Sequence, residues 1–126
     1  MKLTLLLTIF LTAFTGQTGS LAQQAPLEAR TRLNPFDGDP EAARAGAKLF
    51  ARQCASCHGR QAGGIGRAPS LARTDLADAT PGALFWVLRN GSLRRGMPSF
   101  AHLPEARRWQ IITYVRTLRI ERQLNR

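Results

Sequence analysis

CASCHG, at residues 54–59, contains both cysteines of the 126-residue chain and one of its two histidines. Two thiols separated by two residues, with an imidazole next to the second, serve three chemistries: disulfide exchange, zinc binding and covalent attachment of haem. Which applies depends on the chain around the motif.

The N-terminal flank points to export. Met1-Lys2 gives a positive start, Leu3–Phe14 (LTLLLTIFLTAF) a short apolar core, and Ser20-Leu21-Ala22 a small-residue cleavage site. The apolar run is shorter than the roughly 20 residues a membrane-spanning helix needs. Residues 1–22 therefore read as a cleaved signal peptide rather than an anchor. No cysteine lies near the junction, which excludes a lipoprotein anchor. The mature chain then starts near Gln23, in the periplasm and with no membrane span, where disulfides are possible.

The chain carries 18 Lys+Arg against 8 Asp+Glu, a formal net charge of +10. Lys2 and Lys48 are its only lysines; every other cation is an arginine. Such a surface favours partners with acidic docking surfaces and steers their approach at low salt. Nucleic acid is not indicated, because Arg94-Arg95 and Arg107-Arg108 are the only adjacent pairs and no basic run exists.

Residues 23–38 (QQAPLEARTRLNPFDG) lack helical periodicity and read as a linker or loose N-terminal arm, with the folded domain at 39–126. Asp39 as N-cap, Pro40 in the first position and Glu41 in the first turn open a helix over DPEAARAGAKLFARQ. Ala43, Gly46, Ala47 and Phe50 share one of its faces. Glycine costs a helix interior about 1 kcal/mol against alanine, so Gly46 suggests that another backbone passes close by. A glycine-rich loop, GRQAGGIGRAPSL, follows the cysteines. Thr80-Pro81 opens a second helix with the face Leu84, Val87 and Leu88, stopped by Asn90-Gly91. Pro104 opens the last helix, striped by Ile111, Ile112, Val115 and Leu118 and flanked by Trp109 and Tyr114. Nothing alternates with period two. The expected fold is all-α, three or more helices joined by long loops. A domain this small has a marginal core, and its loops have little to pack against. Something else should fill the centre.

That need bears on the three chemistries. Thioredoxin-like exchange normally sits beside a βαβ pattern, which is missing here. A structural zinc site wants four ligands, and Cys54, Cys57, His58 and the distant His102 are all the Cys and His there are. In haem attachment, the thiols of Cys54 and Cys57 form thioethers with the two vinyl groups. His58, the next residue, then lies under the iron as its proximal axial ligand. The haem becomes the missing core. The opposite axial position falls to Met97, the only methionine once Met1 has left with the leader. It lies in the irregular segment RGMPSF, where Pro98 pushes it towards extended geometry and Gly96 leaves room. His102, five residues on, is its rival.

From Asp39 to about residue 120 the chain resembles the class I (mitochondrial-type) monohaem cytochrome c family. Gly46 and Phe50 stand at the offsets before Cys54 where that family has a glycine and an aromatic. The family's last helix crosses its first at that glycine with an aromatic near its middle, a place matched by Tyr114 in WQIITYV. The resemblance implies the small cytochrome c fold, helices and loops wrapped around one covalently bound haem c. It also implies that Pro69, in APSL, orients His58 through its carbonyl, and that the exposed haem edge lies near the cysteines. LFWVLRNGSLRRGMPSF is similar to haem domains that serve bacterial dehydrogenases and respiratory oxidases. The cations depart from the family's lysine-rich face, being almost all arginine.

The expected function is electron carriage rather than enzymatic catalysis. With His58 and Met97 both bound, iron has no open site and cycles between Fe(III) and Fe(II) with little rearrangement. Arg60 and Arg67 are expected near the docking rim, where such interfaces are small and electrostatically steered. Two alternatives stand beside this one. The first is a haem subunit fixed in a dehydrogenase or terminal oxidase, with the arm LNPF (Leu33–Phe36) as tether or dock. The second is a gas-sensing or peroxidatic haem protein in which Met97 is labile.

Overall fold

The structure, a computed structural model, describes residues 19–72, 76 and 78–125, without the side chains of 122 and 123. Residues 1–18 of the expected signal peptide lie outside the described residues. Five α-helices are described: α1 (Leu27–Arg30), α2 (Pro40–Gln53), α3 (Ala55–His58), α4 (Pro81–Asn90) and α5 (Glu105–Leu124). Single 3-10 turns occur at Leu21–Gln24 and Leu93–Arg95. β-structure among the described residues is limited to two isolated bridges, Ile65 with Ala68 and Ser92 with Met97. The expected all-α class is found.

Helices α2 and α4 start where side chains supply hydrogen-bond acceptors to backbone N–H groups that have none within the helix. The Asp39 carboxylate accepts from the backbone N–H of Glu41 at 2.8 Å and of Ala42 at 3.2 Å, with Pro40 opening α2. Thr80 Oγ1 accepts from Ala83 N–H at 3.2 Å ahead of α4. Such caps satisfy donors that would otherwise be orphaned at a helix start.

The most extensive helix contact is between α2 and α5. Gly46 is where they cross. A Cβ added there would stand on the carbonyl oxygen of Gln110, 2.6 Å from its carbonyl carbon and 3.0 Å from Cβ of Tyr114. The Phe50 and Tyr114 rings meet beside the crossing, centroids 5.4 Å apart and tilted by 58°. The expected face of α2 is rotated in the structure: Ala42, Gly46, Leu49 and Phe50 are buried, while Ala43 and Ala47 are only half-buried. The reason is that α2 packs on α5 and also on a cluster of Leu49, Phe50, Cys54, Ala62, Phe100, Leu103, Ile111 and Val115.

The N-terminal arm corrects an expectation. Residues 23–38 are not loose. Ala25 and Ala29 are buried, as is Ala22 at the end of the expected leader, and all three pack with Ala83 of α4. Asn34 is buried as well; its Nδ2 donates to Thr113 Oγ1 on α5 at 2.9 Å, and its Oδ1 accepts from Phe36 N–H at 3.0 Å. Arg32 pairs with Glu105 at 2.6 Å. Small residues without periodicity give no amphipathic signal, yet alanines let two backbones approach closely.

That packing also changes α4. Gly82, Ala83 and Phe85 are its buried residues, whereas the expected face of Leu84, Val87 and Leu88 is half-buried. The helix is covered on one side by the arm. On another side Phe85 packs with Trp109 and Ile112 of α5, its ring stacked on Trp109 with centroids 4.1 Å apart. Among the described residues no helix is long and apolar enough to cross a membrane.

Candidate functional site

The end of α2 breaks at Cys54, which leaves helical geometry at φ −120° and starts the single turn α3. Backbone bonds from Cys57 N–H (3.2 Å) and His58 N–H (2.9 Å) to the Cys54 carbonyl close that turn. Positions i, i+3 and i+4 of a helical turn project to one side, so Cys54, Cys57 and His58 are presented together. Cys54 is buried in the large apolar cluster and Cys57 is exposed.

The glycine-rich loop folds back over this turn. Gly64 N–H donates to the His58 carbonyl at 2.8 Å. Gly64 itself has φ +87°, and a Cβ there would lie 2.7 Å from Ser70 N and 2.9 Å from the Pro69 carbonyl carbon. Only glycine admits both the conformation and the approach. The loop thereby brings the Pro69 carbonyl oxygen to 3.0 Å from His58 Nδ1. A carbonyl can only accept, so Nδ1 carries the proton and Nε2 keeps its lone pair for a metal.

Met97 arrives from a third part of the chain. Its N–H and C=O both bond to Ser92, at 3.0 and 2.8 Å, which pins the RGMPSF segment after α4. The side chain is half-buried and packs on the apolar cluster that contains Cys54. His102 is exposed, with its ring 6.0 Å from that of Phe100. Arg60 and Arg67 are exposed on the loop after the motif.

The chemistry of this arrangement can be sorted. Burial, with the neighbouring Cys57 adding to it, pushes the Cys54 thiol up to about 11. Disulfide exchange depends on a thiolate, so Cys54 is poorly suited to attack a disulfide. No group of three or more Cys, His, Asp or Glu that could hold a metal comes together among the described residues, and a structural zinc site requires four ligands. What the structure offers is two thiols on one turn, an imidazole with a fixed tautomer at the end of that turn, and a thioether sulfur that packs, with Leu71 and Leu88, on the apolar cluster containing Cys54. That donor set fits a haem c.

A family model described as cytochrome c oxidase, cbb3-type, subunit III, matches residues 41–115. The chain belongs to this family. It is a class I monohaem c-type cytochrome, an electron-carrying protein whose cofactor is one covalently bound haem c. A curated relative, the cbb3-type cytochrome c oxidase subunit CcoP of Rubrivivax gelatinosus, is 42% identical over 57 residues, 43% of this chain. The match spans only 19% of that subunit. Among solved structures, cytochrome cL of the marine methylotroph Methylophaga aminisulfidivorans has a TM-score of 0.61 at 27% identity, over 81% of this chain and 70% of that one.

One residue of the cytochrome's site has no counterpart in the reading of the sequence. Ala62 is fully buried at φ +55°, the one non-glycine among the described residues with a positive φ. Its carbonyl accepts from Leu71 N–H at 2.9 Å, which closes the loop that carries Pro69. An alanine gives no advance notice of such a backbone.

Proposed function

We propose that this cytochrome is exported to the periplasm and passes single electrons to a terminal oxidase of the cbb3 type, with His58 and Met97 as the axial pair. The haem supplies a one-electron Fe(III)/Fe(II) couple. Cys54 and Cys57 would tether it through thioethers. His58, whose Nδ1 proton Pro69 holds, would offer Nε2 to the iron, and Met97 would offer its thioether sulfur. With both residues bound, no position would be left for substrate, so transfer of electrons rather than catalysis would follow. The arginine-rich surface steers acidic partners into brief contact. Arg60 and Arg67, exposed beside the attachment turn, serve as part of that rim. The leader is removed after Ala22, which leaves Ala25 and Ala29 to pack on Ala83; an intact mass of the secreted protein starting at Gln23 checks this.

The observation that carries the reading is the convergence of Met97 and Cys54 on one apolar cluster, beside an imidazole held at 3.0 Å by Pro69. The test is the visible spectrum of the oxidised protein. A far-red sulfur-to-iron charge-transfer band is expected, lost completely in Met97→Ala and kept in His102→Ala. Covalent haem without that band would move the ligand position to His102 or leave the iron open, and the electron-carrier reading with Met97 would fall.

A second reading is favoured by the family's own description as an oxidase subunit: the haem domain is held permanently in the complex. Co-purification with a large oxidase that survives high salt separates a fixed subunit from a free carrier.

A further inference from the structure

Arg108 lies between α4 and α5, buried to 8% exposure, with its guanidinium 4.6 Å from the centroid of Phe85. Its Nε and Nη1 are buried and have no hydrogen-bond partner. The acid beside it, Glu105, is half-exposed and already bonded to Arg32 at 2.6 Å and to the Trp109 indole at 3.3 Å. Arg32 covers the same Phe85 ring at 4.4 Å; Glu105 adds negative potential at Arg108, against which Arg89 and Arg32 add positive. Glu105 therefore serves both Arg32 and Arg108, and its hydrogen bonds go to Arg32 and Trp109 rather than to the buried Arg108. An arginine stays charged at any pH where the protein is folded. Replacing buried charges by apolar groups is often neutral or stabilising, so stability alone does not account for a cation here.

The cation has a route to the haem site. Phe85 packs in a cluster with Trp109 and Ile112, and Leu88 packs both on that cluster and on the one holding Cys54 and Met97. Through apolar side chains a charge acts over a longer range than through water. Taking up one electron from a partner protein would lower the positive charge at the iron, and a buried cation linked to the site through the packing of Phe85 and Leu88 would favour the form with less of it. We propose that Arg108 is a tuning residue that raises the reduction potential of this cytochrome, an inference that rests on the haem-binding reading above.

The test is a spectroelectrochemical titration of the holoprotein. Arg108→Gln is expected to weaken electron uptake about threefold to tenfold, a fall of about 28–59 mV at 59 mV per decade for one electron. Arg108→Lys, which keeps the charge, should retain most of the wild-type potential. Arg107→Gln removes the exposed neighbour; its smaller shift should vanish at high salt, whereas that of Arg108→Gln should persist, because buried charges are screened far less. An unmoved potential in Arg108→Gln, or an equal fall in the lysine variant, overturns the proposal. If Arg108→Gln does not fold, Arg108→Met, which keeps the apolar packing and removes the charge, carries the same test, and an unmoved potential overturns the proposal. The far-red band in the wild type separates the two readings: its absence removes the Met97 ligand, while its presence with unmoved potentials removes only the role of Arg108.

Discussion

A Cys54→Ala/Cys57→Ala double variant is expected to lose all covalent haem and, with it, fixed tertiary structure. The reason lies in how little apolar material the loops contribute. From the end of α3 to α4, Ala62 is the only fully buried hydrophobic among the described residues, and from α4 to α5 there are only Phe100 and Leu103. Met97, Leu71 and Leu88 are half-buried around the attachment turn. A domain of this size has a core too small to order such loops unaided, and a large apolar disc held by two thioethers supplies the missing surface. The α2–α5 contact is made mostly by protein side chains, so part of the helical signal should survive. The expected state keeps far-ultraviolet ellipticity and loses the near-ultraviolet signal, as compact states without specific packing do. Haem staining after a denaturing gel reports the attachment, and near-ultraviolet circular dichroism the packing. A haem-free chain with a native-like near-ultraviolet spectrum would falsify the view that the cofactor is the core. Each single variant should keep its haem through the remaining thioether, which separates loss of attachment from loss of a side chain.

The parts of this fold that are legible in the sequence are those set by local chemistry. Asp39-Pro40 and Thr80-Pro81 announce helix starts because capping depends on the two or three residues that follow, and both caps are found. CASCHG is legible for the same reason, its donors lying within one turn. Met97 is picked out by elimination, as the one methionine left if residues 1–22 are cleaved, and it packs on the cluster that contains Cys54. Pro69 entered only through a family resemblance, since nothing about a loop proline says where its carbonyl points. The arm was misread because its burial depends on distant partners: Ala25 and Ala29 pack on Ala83, and Asn34 reaches Thr113. The faces of α2 and α4 were rotated for the same cause, a periodic stripe giving a direction but not the number of neighbours. Arg108 reads as one more solvated cation on an arginine-rich helix; its burial becomes visible only when Phe85 is placed beneath it.

Replacing Gly46 by alanine tests the crossing through the sign of its effect. In an ordinary helix interior this change stabilises by about 1 kcal/mol, because alanine loses less backbone freedom than glycine on folding. At Gly46 the expected result is the opposite, a loss of about 3 kcal/mol or more, at the upper end of what overpacking costs. The added methyl would stand on the backbone of Gln110 rather than on a side chain that could swing away. Relief requires α5 to back off from α2, and the same displacement would part Phe50 from Tyr114 and loosen Ile111 and Val115 in the cluster that holds Cys54. Stability and the haem site should therefore fail together: the urea midpoint of Gly46→Ala should drop sharply, and its far-red band should weaken. Lys48→Ala, an exposed change two residues along the same helix, should leave both almost unmoved. A Gly46→Ala protein more stable than the parent would mean that α5 does not lie against α2 at this glycine. The helix pair would then have to be held at some other point, and the close approach that joins α2 to α5 would be lost as the organising contact of the fold.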